Sequence, residues 1–330
     1  MKHIKEQIDI IPEEFKSLGM YLDNKRYAVL DIETTGLSPI HNQVMLVGLI
    51  VVEDKKVTLH QFFATDLQDE AEILSKTAKE LSSCNYIVTF NGRFFDIPFI
   101  EKRNVKHGVY LERLFNLDLF YLLKFYSDIP KIIPKLNQKS IEMYAGIDFL
   151  RQDRISGGES VALFSEYLNT GSMDLEKRIL LHNSDDLKQL LRLMSLLKNV
   201  DIHRSFFKTG FPIDGGRLSG IDLKKTDLII KGFGDNPTEY IAFPSVEAPY
   251  SFRMSAKDGA FEIELPCEKR NKDIYVDIGF IESKGLDELK EFFPSFINDY
   301  LIIKENGSIN YPEVNLMSKF LAIDALGRLG

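Results

Sequence analysis

The sequence predicts an α/β fold for its first 200 residues, followed by a smaller β-rich α+β domain. Three observations carry this prediction. First, the apolar runs Tyr27–Asp31, Gln43–Val52 and Lys56–Phe63 follow one another as consecutive sheet strands do, the last two joined by the short polar turn Glu53-Asp54-Lys55. Second, strand and helix patterns then alternate as far as residue 200, which is the mark of a sheet with helices packed against it. Third, the texture changes after residue 200. Short alternating or aromatic runs (Asp227–Phe233, Tyr250–Ala256, Phe261–Leu265, Ile274–Phe280) are separated there by Gly, Pro and Asp.

Taken in order, residues 1–26 mix apolar and charged positions around Ile11-Pro12 and read as a helical lead-in to a domain spanning 27–200. Glu70–Leu81 carries apolar residues at helical spacing in Ile73, Leu74, Ala78 and Leu81. Tyr86–Phe90 is a fourth strand that stops at the turn-forming pair Asn91-Gly92. Leu114–Asp118 is a short strand leading into the aromatic-rich Leu119–Tyr126. Helices are expected over Lys135–Tyr144, Glu159–Leu168 and Asp174–Lys198; the last is long, amphipathic and has Asp174 and Glu176 in its first turn, where they complement the helix dipole. The second domain is expected over 211–330. In it Leu301–Lys304 and Ser308–Tyr311 flank Asn306-Gly307, a hairpin signal, and Leu286–Phe292 and Val314–Leu326 have helical patterns.

Composition narrows the class of function. No apolar run approaches the roughly 18 residues that span a bilayer. The N-terminus Met1-Lys2-His3-Ile4-Lys5-Glu6 has no signal-peptide h-region, so a cytoplasmic protein is expected. Two cysteines, Cys84 and Cys267, far apart, make neither a disulfide framework nor a cysteine-rich zinc site. The net charge is −8, with 25 Lys and Arg against 28 Asp and Glu in the first 200 residues. That balance speaks against a protein that grips many phosphates with side chains. It is compatible with an enzyme whose bound divalent cations meet one or two phosphates, because cations invert the local sign of a site.

Three clusters in the first 200 residues carry chemistry. Asp31-Ile32-Glu33-Thr34-Thr35-Gly36-Leu37 places two carboxylates two apart on a strand, hence on one face, where they repel unless a cation sits between them. Oxygen-rich clusters of this kind suit Mg²⁺ or Mn²⁺. Asn91-Gly92-Arg93-Phe94-Phe95-Asp96 follows the fourth strand; Asp96 begins a helix, and helix capping is its competing use. His182-Asn183-Ser184-Asp185-Asp186 lies in the long helix, where His182 and Asp186, four apart, can face one site.

Together the clusters resemble the three motifs of the DEDD exonuclease superfamily, whose members have the ribonuclease H-like fold, a mixed sheet flanked by helices. The motifs are Asp-x-Glu on the first strand, Asn-x(2–4)-Phe-Asp after the fourth, and a Tyr or His ahead of the last Asp on a late helix. Asn116-Leu117-Asp118-Leu119, Ile155-Ser156-Gly157-Gly158-Glu159, Ser165-Glu166-Tyr167-Leu168 and the spacing of His182-Asn183 to Asp186 are similar to the YprB-type branch. The resemblance covers about residues 25–200 and implies a 3′–5′ exonuclease with two divalent cations about 3.5–4 Å apart. By that resemblance Asp31, Glu33, Asp96 and Asp186 are the metal ligands, and Asp31 bridges both ions. Asp185 is a lesser alternative to Asp186. His182 is the implied base, although it stands four residues before its Asp, the spacing of the tyrosine subclass, whereas histidine members have five.

For substrate, Asn91 and Arg93 are candidates for phosphate contacts and backbone amides near Thr34 and Thr35 for the terminal sugar, with Leu37 beside the last base. Phe94, Phe95, Phe120 and Tyr121 are candidates for base stacking, with burial in the core as their competing use. Lys124, Lys131, Lys135, Lys139, Arg151 and Arg154 form a basic stretch that can track single-stranded DNA or RNA; an ordinary solvated surface explains them equally. An endonuclease of the same fold, a non-catalytic nucleic-acid-binding scaffold and a small-molecule phosphoesterase remain alternatives. Protein partners are not indicated.

Overall fold

The structure is a computed structural model, and it describes residues 1–13, 15–23, 25–153 and 155–329. The chain forms two compact units, Met1–Val200 and Asp201–Gly330.

The first unit is built on a six-stranded mixed sheet. Its strands are β1 (Lys2–Gln7), β2 (Arg26–Thr34), β3 (Val44–Glu53), β4 (Lys56–Phe63), β5 (Tyr86–Thr89) and β6 (Phe115–Asp118), in the order β1-β4-β3-β2-β5-β6. The four from β1 to β2 pair antiparallel, while β2, β5 and β6 run parallel. A short α1 (Lys16–Gly19) precedes β2; α2 (Glu70–Leu81) and α3 (Asp96–His107) flank β5; α4 (Leu119–Tyr126) follows β6 directly. Then come α5 (Ile129–Ile132), α6 (Gln138–Ala145), α7 (Gly157–Thr170) and α8 (Met173–Leu193), the last continuing as a 3₁₀ turn over Met194–Asn199.

The sequence dictates much of this. Val44–Val52 is buried without a break, as a strand covered on both faces must be. α7 begins at a capping box, in which Ser156 and Glu159 satisfy each other's backbone N–H groups. α3 ends at Gly108, which takes the left-handed conformation that closes a helix (φ 65°).

Two features differ from the sequence reading. Lys2–Gln7 is an edge strand rather than part of a helical lead-in. Its one apolar residue, Ile4, gives no period to read, and the strand is held by its pairing with β4 and by His3 lying on the Phe62 ring at 4.5 Å. A charged edge strand of this kind also resists pairing with other chains. The sheet therefore has six strands rather than about five.

In the second unit, a helix over Ile202–Thr209 precedes two antiparallel sheets, so the segment before Phe211 groups with this unit. One sheet has six strands between Pro212 and Pro266. The other contains the hairpin Tyr300–Glu305 and Ser308–Ile309, turned by Asn306 and Gly307 in left-handed conformation (φ 50° and 93°). A helix over Tyr311–Gly327 closes the unit. No helix among the described residues is long and apolar enough to cross a membrane.

Candidate active site

The site starts from a row of the sheet. Asp31 of β2 pairs with Gly48 of β3, which pairs with Gln61 of β4. Residues opposite one another share a face, so the row is two polar side chains with a gap between them. Asn183 of α8 fills the gap. Its Nδ2 donates to Asp31 Oδ2 at 2.8 Å, and its Oδ1 accepts from Gln61 Nε2 at 2.9 Å. A Cβ on Gly48 would lie 2.1 Å from Asn183 Oδ1 and 2.5 Å from Leu187 Cδ1. Only glycine lets α8 come this close.

Glu33 stands two residues beyond Asp31 on the same face and meets His182, the neighbour of Asn183. His182 Nε2 is 3.5 Å from Glu33 Oε1 and 3.7 Å from Asp186 Oδ2. Glu33, His182 and Asp186 each offer an atom within 4.8 Å of the others. Asp96, the first residue of α3, reaches the same strand. The paired stretch of β2 and β5 ends at Val29 and Val88, and beyond it the N–H of Ile32 donates to Asp96 Oδ1 at 3.2 Å. Asp96 thus reaches across to β2 as well as accepting its own backbone N–H, and the helix has no side-chain cap from the residue before it. The capping role falls one strand over to Asp118, which accepts from Tyr121 N–H at the start of α4 and from the N–H groups of Asn91 and Arg93.

Burial is the first reason these acids resist ionisation, and repulsion from neighbouring carboxylates adds to it. Asp31 is pushed well above the usual carboxylate range by burial and then by Asp186, Asp96 and Glu33, against the hydrogen bond from Asn183. Glu33 is raised to about 7 by burial and Asp186, against His182. Asp96 is raised to about 7 by burial, against its own backbone N–H and that of Ile32. Asp186 is raised by burial, opposed by His182 and Arg151. Burial disfavours the His182 cation, yet Asp186, Glu33 and Asp153 together lift its pKa above the ordinary value. Four mostly buried carboxylates and one imidazole nitrogen, converging at a cost in charge, fit divalent cations that take oxygen donors.

The segment after α6 ties itself to the site through Asp153, Arg151 and its own backbone. Asp153 Oδ2 lies 2.7 Å from His182 Nδ1, within hydrogen-bond distance. Arg151 donates to Asp186 Oδ1 at 2.6 Å and forks onto Glu142 at 2.6 and 2.9 Å. Asp185 accepts the N–H groups of Gln152 and Asp153 at 2.6 and 2.7 Å. Asp185 is therefore occupied by backbone and does not join the carboxylate cluster. Arg151, expected on a basic path for nucleic acid, has its side chain buried and paired instead, because three carboxylates surround it. Asp153 and Gly48 carry no sequence-level expectation, and Asn183 enters the sequence reading only as part of its motif, without a role. Asp153 lies on an aperiodic connection, and its only signal is its place between two arginines.

Other expected contacts fare variously. Thr34 Oγ1 donates to Gly36 O at 2.8 Å. The Thr35 N–H donates to Gln43 O at 2.9 Å and its Oγ1 accepts from Gln43 N–H at 3.0 Å. Thr35 thus builds the turn to β3 and its amide is not open to a sugar. Leu37 stands 84% exposed on that turn. Asn91 takes a left-handed conformation (φ 64°), and the Arg93 guanidinium lies 4.8 Å over the Tyr121 ring. Phe94 is exposed, Phe95 packs on Phe99, and Phe120 packs edge-on against Phe90. Lys124 lies over the Phe120 and Phe125 rings, Lys131 pairs with Asp128, Lys139 donates to Ile155 O and Lys135 is exposed. Arg154 lies outside the described residues.

Comparison with known proteins adds three similarities. The PolC-type DNA polymerase III of Ureaplasma parvum is 32% identical over 127 residues, which is 32% of this chain and 9% of that polymerase. Among solved structures, a family B DNA polymerase from Pyrobaculum calidifontis aligns with 15% identity and a TM-score of 0.44, covering 93% of this chain and 46% of the other. Exonuclease I from Methylocaldum szegediense aligns with 11% identity and a TM-score of 0.38, covering 92% and 70%. The chain thus spans less than half the length of either polymerase. The family profile of the RNase H superfamily matches residues 28–198, from the second residue of β2's apolar run into α8's 3₁₀ extension, and by that match over more than half its length this chain belongs to the RNase H superfamily.

Proposed function

We propose that this chain is a metal-dependent 3′–5′ exonuclease that hydrolyses phosphodiester bonds at the 3′ ends of single-stranded nucleic acid. The observation that carries the reading is the convergence of Asp31, Glu33, Asp96 and Asp186, from two strand positions and two helices, with Glu33 and Asp186 facing the Nε2 of His182. Asp31, Glu33, Asp96 and Asp186 would hold two divalent cations, Mg²⁺ or Mn²⁺, which supply a water of lowered pKa and charge stabilisation for the departing oxygen.

The rest is done by the chain's own residues. His182 Nε2 faces Glu33 and Asp186 and is suited to take the proton of the attacking water. Asn183 holds Asp31 by one oxygen and so fixes its rotamer. The exposed Leu37 is suited to pack beside a terminal base, and Phe94 and the Arg93–Tyr121 pair offer faces on which bases stack, at about 1–3 kcal/mol each. Asn91 and Arg93 remain the candidates for phosphate contact, with their backbone fixed by Asp118.

The test is incubation of the protein with 5′-labelled single-stranded DNA and RNA in Mg²⁺ or Mn²⁺. A ladder shortening from the 3′ end with release of nucleoside 5′-monophosphates is expected. Internal cuts would point to an endonuclease, and binding without cleavage to a scaffold.

A further inference from the structure

We infer that Asp153 is a positioning residue for the reaction: it decides which nitrogen of His182 carries the proton, and so leaves Nε2 able to act as base. The inference rests on the reading of His182 as the proton acceptor in a nuclease.

The imidazole lies between two sets of carboxylates. On one side Glu33 and Asp186 stand 3.5 and 3.7 Å from Nε2; on the other Asp153 Oδ2 stands 2.7 Å from Nδ1. Each set favours a proton on the nitrogen that faces it, because an ionised carboxylate can only accept. Left to Glu33 and Asp186, neutral His182 would carry its proton on Nε2, and a protonated Nε2 takes nothing from water. The shorter, charge-assisted contact belongs to Asp153 and wins the competition. His182 then holds Nδ1–H and keeps the Nε2 lone pair toward the site.

Asp153 is itself held in place. Its other oxygen accepts the Ile155 N–H at 2.8 Å, its side chain is buried, and its backbone N–H is anchored to Asp185. The segment Arg151–Asp153 is a strap across one turn of α8. Asp153 meets His182, Asp185 binds the strap's backbone, and Arg151 meets Asp186. Arg151 also takes Asp186 Oδ1, so that Oδ2 is the oxygen turned to His182. Orienting a ring through its far nitrogen is how a carboxylate sets a catalytic histidine in other hydrolases.

The experiment uses the full chain with Mg²⁺ or Mn²⁺, wild type and Asp153→Asn. Asparagine keeps the volume but can donate to Nδ1, which favours the other tautomer. Long-range ¹H–¹⁵N correlation of ¹⁵N-histidine protein in Mg²⁺, at a pH where the ring is neutral, should show Nδ1–H in wild type and Nε2–H in the variant; a His182→Gln variant assigns the signal. On single-stranded DNA in Mn²⁺, kcat should fall about 10²–10⁴-fold, with KM and the calorimetric Mn²⁺ affinity unchanged. In a His182→Ala background the same substitution should cost nothing further. Nε2–H in the wild type, a measurement that needs no variant to fold, would overturn the inference, as would wild-type kcat in Asp153→Asn. Full activity in His182→Ala, or no nuclease activity in wild type, would instead defeat the underlying reading while leaving the tautomer measurement to stand by itself.

Discussion

Asp31 has its charge opposed by burial and by three other acids, and a single hydrogen bond from Asn183 favours its ionised form. A residue so placed gives the fold nothing when ionised and gains only when a cation arrives. Asp31→Ala should therefore abolish metal-dependent cleavage, leave the circular dichroism spectrum unchanged and raise the melting temperature of the chelated protein; Asp186→Ala should abolish cleavage without that gain, because it also takes a partner from Arg151. Wild-type turnover in either variant at saturating Mn²⁺ would remove that residue from the ligand set. Asp185, one residue from Asp186, should behave in the opposite way. Its carboxylate satisfies two backbone N–H groups, so Asp185→Ala should destabilise the fold by about 1–3 kcal/mol for each donor left buried and unpaired. Asp185→Asn, which keeps an acceptor oxygen, should recover part of that loss and bind Mn²⁺ with nearly wild-type affinity in titration calorimetry.

Among elements, α8 does most to assemble the site, for it carries His182, Asn183, Asp185 and Asp186 over little more than one turn and lies on β2 and β3. Its closeness depends on Gly48. Gly48→Ala forces Asn183 and Leu187 away from the sheet and should cost about 1–3 kcal/mol in denaturant unfolding, with weaker Mn²⁺ binding because Asn183 loses its grip on Asp31. A fully stable Gly48→Ala protein would mean that α8 can shift freely. Elements like α8 and the buried run of β3 were legible because burial imposes a period or a continuous apolar stretch on their residues. β1 was not, since an edge strand with one half-buried apolar residue leaves no such trace. Nor was the strap that carries Arg151 and Asp153, whose value lies in contacts made across roughly thirty residues of chain by side chains on an irregular connection. The Thr35 amide is a related case: the motif gives its place after the strand, whereas its partner at Gln43 is set by the turn.

At the scale of the whole molecule, a chain of net charge −8 concentrates several of its acids in one buried cluster, and this ties its stability to pH and to cations. Glu33 and Asp96 have pKa values of about 7 in the folded protein, and Asp31 and Asp186 are also raised. In the unfolded chain such groups ionise near about 4. Between the two values the folded state holds protons that the unfolded state has released, so stability falls as pH rises across roughly 4 to 7. His182 acts with the same sign. Its folded pKa is raised, so its contribution is complete below about 6.5, the unfolded value, and is lost as pH climbs through the folded one. The chelated protein should then melt lower at pH 8 than at pH 5.5, by at least about 2–4 °C, the shift that 1 kcal/mol brings in a domain of this size. Saturating Mg²⁺ or Mn²⁺ should remove most of the decline, because a bound cation favours the ionised carboxylates that high pH produces and stabilises the fold by mass action. Asp31→Asn should flatten the decline without metal and lose most of the metal's effect. Differential scanning calorimetry of both proteins at the two pH values, with chelator and with metal, checks all four expectations. A melting temperature that rises with pH in chelator, and does not move with Mn²⁺, would show that the cluster neither stores this repulsion nor binds a cation to relieve it.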